Sequence, residues 1–307
     1  MVEPAARWVE PRGGQRRLGA VLRALGVSDQ ALVSGAVFVN RVRQTRPDQL
    51  VCADDVVEVY PMHRGSEPRC EVVERRGDLL LIDKPAALAS EPTRLGGGGS
   101  VTEQLAAVLG TRVHVHSRLD VGVSGLVLVA LGERARAHIE RLRSHGAYHR
   151  HYLALASGAP PDDAGVWHGK LGKGRDARDA ETAYRVVERV THAGAPRSLA
   201  LLALAPITGR THQLRLQAAA AGAPILGDKR YRGVHRVIAD DGSVIGLTRI
   251  MLHAARVELT DVDGQPWRVV LPPPYEVTNL WTMVGGSSES VAAACSESVL
   301  ANSRLGG

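Results

Sequence analysis

Six short apolar runs constrain the fold of this chain more than any other feature: DLLLID (78–83), GLVLVA (125–130), HYLALASG (151–158), SLALLALAP (198–206), HAARVELT (253–260) and WRVVLP (267–272). Each is brief, rich in Leu, Val and Ala, and bounded by polar or turn residues, which is the pattern of buried strands. Three segments with helical spacing lie among them: SVTEQLAAVLG (100–110), ERARAHIERLRSHG (133–146) and THQLRLQAAAAG (211–222). Strict strand–helix alternation would call for a parallel sheet. Its absence predicts an α+β region over residues 70–283 built on a mainly antiparallel sheet.

The flanks read differently. In QRRLGAVLRALG, Leu18, Val21, Leu22 and Leu25 share one helical face and Gly26 supplies a C-cap. SDQALVSG, with Ser28 as N-cap, predicts a second short helix, and AVFVN and DVVEVY predict strands. Together these make a small α/β module over residues 12–60. PMHRGSEPR (61–69) reads as a linker. Residues 284–307, mostly Gly, Ser, Ala and Glu, predict a disordered tail in which VAAACSESVLA could form a weak helix. GGGGS (96–100) is a loop tip; no strand precedes it and no Lys-Ser/Thr follows, so it does not read as a phosphate loop.

Composition excludes several function classes. No apolar stretch approaches the ~18–20 residues of a membrane span, and MVEPAARWVE lacks the apolar core of a secretory signal. Cys52, Cys70 and Cys295 are scattered without metal or disulfide spacing. The histidines of VHVH and the cluster His145, His149 and His151 have no closing Cys, Asp or Glu. The expectation is a reduced, cytoplasmic, monomeric protein with no metal or cofactor. Net charge is +6, and it is unevenly spread: seven arginines and one acidic residue lie between Arg12 and Arg46, five arginines and one glutamate between Arg134 and His151. Such patches suit contact with a phosphate backbone, and they equally solvate ordinary helix faces.

Asp120 is the residue that chemistry singles out. It lies in HSRLDVGVSGLVLVA, between an arginine and a Gly/Ser turn that leads into the core strand. Burial would raise its pKa, and an arginine partner would lower it. A shielded, ionised carboxylate suits attack on an anomeric carbon or stabilisation of positive charge there. At a nucleoside, that chemistry requires the base to leave its stack and lie on a flat neighbour, which Tyr152 could supply. The plainer reading is an Asx cap holding its own turn.

SRLDVGVSGLVLVA closely resembles the catalytic motif of RluA-type pseudouridine synthases, H-R-L-D-x-x-T-S-G-L. RHYLALASG resembles that family's tyrosine motif, and TGRTHQLR followed by PILGDKRY resembles its third motif. LLLIDKPAALASEP and LHAARVEL are fainter echoes, and the resemblance spans about Asp78 to Pro272. It implies an RNA pseudouridine synthase, an isomerase needing no cofactor. It assigns Asp120 as the catalytic group, Tyr152 as the residue that stacks on uracil, and Arg215 as the partner of Asp120. Arg118 would help to open the RNA stack and Arg210 would support the loop or contact phosphate. Ser124, Gly125 and His212 would support the site.

The chain departs from the family motifs at Ser117 (usually His), Val123 (Thr), Arg150 (Lys) and Asp83 (often Asn). These changes put substrate choice in doubt more than chemistry. His116 stands one place early, where an extended segment would point it the other way. RRLGAVLRALGVSDQALVSGAVFVN resembles a small RNA-binding module shared with a small-subunit ribosomal protein, which gives Arg16, Arg17, Arg41 and Arg43 as RNA contacts. The target would be ribosomal or transfer RNA, ribosomal slightly favoured. Two rival readings are a catalytically retired RNA-binding or assembly protein, and a nucleoside or sugar hydrolase using one carboxylate.

Overall fold

The computed structural model describes residues 6–27, 32, 37–40, 42–44, 46–59, 68–92, 99–172, 174–191, 198–238, 244–297 and 299. It divides into two compact units, Met1–Glu67 and Pro68–Gly307, with the boundary inside the expected linker. Most of that linker, all but Leu32 of the second N-terminal helix expected at 28–35, the residue Arg41 and the first three residues of the glycine tip lie outside the described residues.

In the first unit the strands are β1 (Ala6–Val9), β2 (Gln15–Arg17), β3 (Val37–Val39), β4 (Val42–Arg43), β5 (Leu50–Cys52) and β6 (Val56–Val59). One helix, α1, covers Leu18–Ala24. The sheet order is β1-β6-β3-β4, with β2 and β5 forming a separate ribbon. Leu18, Val21 and Leu22, the predicted helix face, pack on Val37, Val51 and Val57.

The second unit is built on a ten-stranded sheet. Its strands are β7 (Glu71–Arg76), β8 (Leu79–Lys84), β9 (Val113–Val115), β10 (Ser124–Leu131), β11 (His149–Ser157), β12 (Ala164–Leu171), β13 (Arg178–Val190), β14 (Leu199–Pro206), β17 (Leu252–Thr260) and β18 (Pro266–Val270). A hairpin of β15 (Arg236–Ile238) and β16 (Val244–Gly246) lies outside that sheet. The central path is β12-β13-β14-β11-β17-β10-β8-β7, with β18 on β17 and β9 on β10. Its pairs are antiparallel except β10 with β17. The α+β, mainly antiparallel expectation holds.

Strand β10 explains its own sequence. All eight residues are buried. Val127, Val129 and Leu131 face one core, while Leu126, Leu128 and Ala130 face another. With side chains alternating along a strand and both faces covered, the run must be apolar throughout. Helix α3 (Glu133–Ser144) covers one face through Ala135, Ile139 and Leu142. The other face is covered by α2 (Val101–Leu109), α4 (Gln213–Ala220), α5 (Tyr275–Met283) and α6 (Ser288–Ser296).

Helix α6 corrects the disordered tail expected over 284–307. Val291, Ala294 and Cys295, at i, i+3 and i+4, are buried in the main core, and Ser287 caps the helix through Ser290 N–H at 3.2 Å. Arg268 donates to the carbonyl of Ser296 at 2.7 Å, closing the other end. Spacing of small apolar residues outweighs the Gly/Ser composition here. Residues 298 and 300–307 lie outside the described residues.

Gly125 is held by close approach. Its φ is +116°, and a Cβ there would stand 2.5 Å from the backbone nitrogen of Ala254 on β17, and closer still to its carbonyl oxygen. Gly125→Ala is expected to cost at least ~2 kcal/mol, through overpacking and backbone strain together. Urea unfolding monitored by circular dichroism checks this; an unchanged midpoint would contradict it.

Candidate active site

Asp120 sits in a tight turn fixed by its surroundings. Its carbonyl accepts from Val123 N–H at 2.9 Å, Ala87 N–H donates to Val121 O at 2.7 Å, and Ile250 N–H donates to Gly122 O at 3.2 Å. Just before it, Ser90 Oγ both accepts from Leu119 N–H and donates to Leu119 O, each at 3.0 Å. Two of the departures from the family motif are absorbed here. Ser117 is buried and its hydroxyl accepts from Leu128 N–H at 3.1 Å, while Val123 packs in the core. Behind the turn, Arg249 donates to Ser124 Oγ, which lies 2.8 Å from His253 Nδ1, and His253 Nε2 lies 3.1 Å from Leu271 O. Burial pushes His253 down to about 4, so the ring is neutral at neutral pH and can pass this chain of hydrogen bonds from Arg249 to the Leu271 carbonyl. Lys84, fully buried, donates to Pro85 O at 2.9 Å and Leu88 O at 2.7 Å, holding the adjoining turn; burial pushes it down to about 7.

Arg215 reaches Asp120 from α4. Its Nη1 donates to Asp120 Oδ2 at 2.6 Å. Its other edge forms a two-pronged pair with Asp228: Nε to Oδ2 at 2.6 Å and Nη2 to Oδ1 at 2.8 Å. Asp228 is 1% exposed and also accepts from Arg230 N–H at 3.1 Å and Tyr231 N–H at 3.3 Å. The Arg215 guanidinium lies 4.9 Å from the centre of the Tyr231 ring. Burial alone would lower the Arg215 pKa, but hydrogen bonds to Asp228 and Asp120 overcome it and hold the cation. Asp228 therefore anchors the arginine, and the arginine presents its Nη1 to Asp120.

The loop feeding α4 is shaped by Gln213. Its Oε1 accepts from Thr208 Oγ1 at 2.8 Å and Arg210 N–H at 2.9 Å, while Nε2 donates to Glu181 O and Thr182 Oγ1, each at 2.9 Å. His212, at φ +54°, turns its Nδ1 to Tyr231 Oη at 2.8 Å and its Nε2 to within 3.6 Å of Asp120 Oδ1. Burial lowers the His212 pKa, against the pull of Asp120, which favours a neutral ring. The oxygens of Asp120 thus face Arg215 and His212, which is not an Asx cap's arrangement.

Asp120, Tyr152, Arg215, His212, Arg118 and Arg210 all border one cavity of about 830 Å3, ample for a nucleoside. Tyr152 comes from β11, with its phenol buried; burial raises its pKa, and neighbouring Arg150 pulls the other way. Arg118 is exposed and lies 3.2 Å from Glu91. Arg210 donates through Nε to Asp179 O at 2.9 Å. In the N-terminal unit, Arg16 pairs with buried Glu10 at 3.1 Å and lies 5.5 Å from the Trp8 ring centre, while Arg17 begins α1 as its N-cap. Arg43 lies in β4, and its side chain is outside the described residues.

Comparison with known proteins identifies the family. A family model described as RNA pseudouridylate synthase matches residues 78–220. Ribosomal large subunit pseudouridine synthase D of Xanthomonas campestris is 33% identical over 288 residues, covering 86% of this chain and 84% of that protein. The chain belongs to the RluA-type RNA pseudouridine synthases. It is therefore an isomerase acting on RNA. An uncharacterized RNA pseudouridine synthase of Mycobacterium bovis is 28% identical, covering 89% of this chain and 95% of that one. Human RNA pseudouridylate synthase domain containing 1 shares the fold, with a TM-score of 0.59 at 23% identity, over 77% of this chain and 98% of that one.

For a synthase of this family, sequence reading left three parts of the site unassigned. Asp228 and Tyr231 lie in PILGDKRY, where Tyr231 meets both His212 and Arg215, but nothing in the spacing ties either residue to Arg215. Arg143 had no signal beyond a basic helix, yet it borders the same cavity.

Proposed function

We propose that Asp120 carries the chemistry of this pseudouridine synthase, with Arg215 as its hydrogen-bonded partner and Tyr152 both stacking on the uracil and moving a proton. The observation behind this reading is the shared guanidinium: Arg215 is locked by two bonds to buried Asp228 and donates through Nη1 to Asp120. A carboxylate so paired borders the cavity, where it can meet positive charge at C1′ of a flipped uridine. The C1′–N1 bond breaks, the uracil turns in the pocket, and a C1′–C5 bond forms. N1 gains a proton and C5 loses one, so nothing is added or removed overall. Asp120 acts either as nucleophile at C1′ or as the group driving elimination at the sugar.

Arg118 stands exposed at the cavity rim, suited to fill the gap left by the displaced base, and Arg210 to meet phosphate. Ser124, Gly125 and His212 hold the turn and the loop in place. The N-terminal unit, with Arg16, Arg17, Arg41 and Arg43, serves as an RNA-gripping module. The protein works as a cytoplasmic monomer on ribosomal RNA in preference to transfer RNA, a choice supported by relatives named for the large ribosomal subunit. Incubating the purified protein with separate ribosomal and transfer RNA fractions, taken from cells lacking it, tests this. New pseudouridine in the ribosomal fraction is the expected result; new pseudouridine only in transfer RNA would reverse the substrate.

Tyr152→Phe keeps the flat ring and loses the hydroxyl. Turnover is expected to fall about 10²–10⁴-fold, as for loss of a proton-transferring group, with RNA affinity little changed. Because the phenol's pKa is raised above its ordinary value of 10, it stays protonated through pH 9. The wild-type rate should therefore show no Tyr152-dependent alkaline decline between pH 7 and 9. A decline in that range that vanishes in Tyr152→Phe would contradict this.

A further inference from the structure

Beyond the uridine pocket, a second feature of the cavity wall has no role in the chemistry above. Arg143, in the last turn of α3, and Arg150, near the start of β11, converge on Gly209 in the loop before α4. A Cβ on Gly209 would lie 3.5 Å and 3.6 Å from the two terminal nitrogens of Arg150 and 4.0 Å from one of Arg143. Both guanidiniums are oriented by backbone carbonyls: Arg143 Nη1 donates to His116 O at 3.1 Å, and Arg150 Nη2 to Thr208 O at 3.3 Å. Arg150 also lies 5.5 Å from the centre of the Tyr148 ring.

What the pair lacks is an anion. Among the described residues neither arginine forms an ion pair, although arginines nearby on α3 and at the cavity rim do. The Nε of Arg150 is buried and has no hydrogen-bond partner. Like charges drawn together in a partly dry wall repel each other, and a buried donor without an acceptor is unfavourable. A bound phosphate offsets that repulsion, since its oxygens can meet the terminal guanidinium nitrogens that face the space at Gly209. Glycine at 209 leaves the space over the pair open.

We propose that Arg143 and Arg150 form a phosphate-binding subsite that grips a backbone phosphate of the RNA strand beside the flipped nucleotide. This rests on the reading of the cavity as the uridine site, because the two arginines border the same cavity as Asp120 and Tyr152. The subsite positions the strand while Asp120 acts on the sugar. It also gives meaning to Arg150, which replaces the family's usual lysine: a planar guanidinium can present two parallel N–H groups to a phosphate, a fork that an ammonium lacks.

The test uses the full chain labelled with 15N-arginine and two probes, inorganic phosphate and a ten-residue oligouridylate. The Arg150 Nε–H resonance, assigned with Arg150→Lys, is expected to shift with both probes. Arg143→Gln, a change at an exposed residue, should reduce the slope of log affinity against log salt for the oligouridylate by about 0.7, the value of one phosphate contact on a single strand. Arg143→Lys should restore it. A shift with inorganic phosphate alone, or an unchanged slope, would overturn the assignment to an RNA backbone; no shift with either probe would overturn the subsite altogether. Pseudouridine formation by the wild type is scored separately. Its absence alongside a shifted resonance and a reduced slope would remove the uridine-site reading and leave an RNA phosphate contact standing.

Discussion

Asp120→Asn is expected to lower pseudouridine formation by roughly 10⁴-fold or more, the scale seen when a group that makes the covalent or charge-stabilising contact is removed. The substitution keeps size and retains an oxygen for Arg215 Nη1, so the geometry around the guanidinium should persist. It removes the negative charge, and with it the attraction for a developing cation at C1′. RNA affinity should stay within a few-fold of wild type, because phosphate contacts by basic residues supply most of that binding. Asp120 is itself partly exposed, so its loss should leave the unfolding midpoint nearly unchanged. Single-turnover rates and filter binding on the same RNA separate the two effects. Loss of binding in parallel with loss of rate would make Asp120 a positioning residue.

Asp228→Ala should damage the fold and the chemistry together. The carboxylate is buried and takes two bonds from Arg215, which is itself 7% exposed. A buried ion pair is weak evidence for stability when compared with an apolar pair, but removing its buried partner leaves the guanidinium only the partly exposed Asp120 and costs about 3–5 kcal/mol. At ~2–4 °C per kcal/mol for a unit of this size, the melting midpoint should drop by about 6–20 °C. Two backbone N–H groups, those of Arg230 and Tyr231, lose their acceptor as well. The surviving folded protein should turn over slowly, since Arg215 no longer has a fixed direction from which to meet Asp120. Calorimetry and the single-turnover assay read these separately. A variant with wild-type melting and wild-type rate would show that the Asp228 contact carries neither function.

Much of this arrangement is legible in the sequence, and the illegible parts have physical causes. The runs that became β8, β10, β11, β14, β17 and β18 are apolar because the sheet is covered or packed, and the run itself reports that burial. Strands β12 and β13 escaped notice because WHGKL and RDAETAYRVVERV carry polar residues toward solvent near the edge of the sheet. Helix α6 reads in the sequence only as a weak helix in a tail; its burial was masked by composition, since Ala, Ser and Cys bury well when spaced at i, i+3 and i+4 but look like a flexible tail when counted. At the site, Asp120, Tyr152 and Arg215 stand out because motif order brings them to one cavity. The partnership of Arg215 with Asp228 spans only 13 residues, yet it depends on the loop after α4 folding back, which no periodicity encodes. Arg143 and Arg150 are joined only through Gly209, 59 residues beyond the second of them, and a contact of that kind is set by the sheet and not by the local chain.

The central claim, that Asp120 makes pseudouridine at a defined position in RNA, is met most directly by mapping pseudouridine across total RNA. The comparison needs a strain lacking this gene, complemented with wild type or with Asp120→Ala. The account predicts that at least one site vanishes in the deletion strain, returns with wild type and stays absent with Asp120→Ala. Identical maps in all strains, with the purified protein still binding RNA, would contradict it and put an RNA-binding role without turnover in its place.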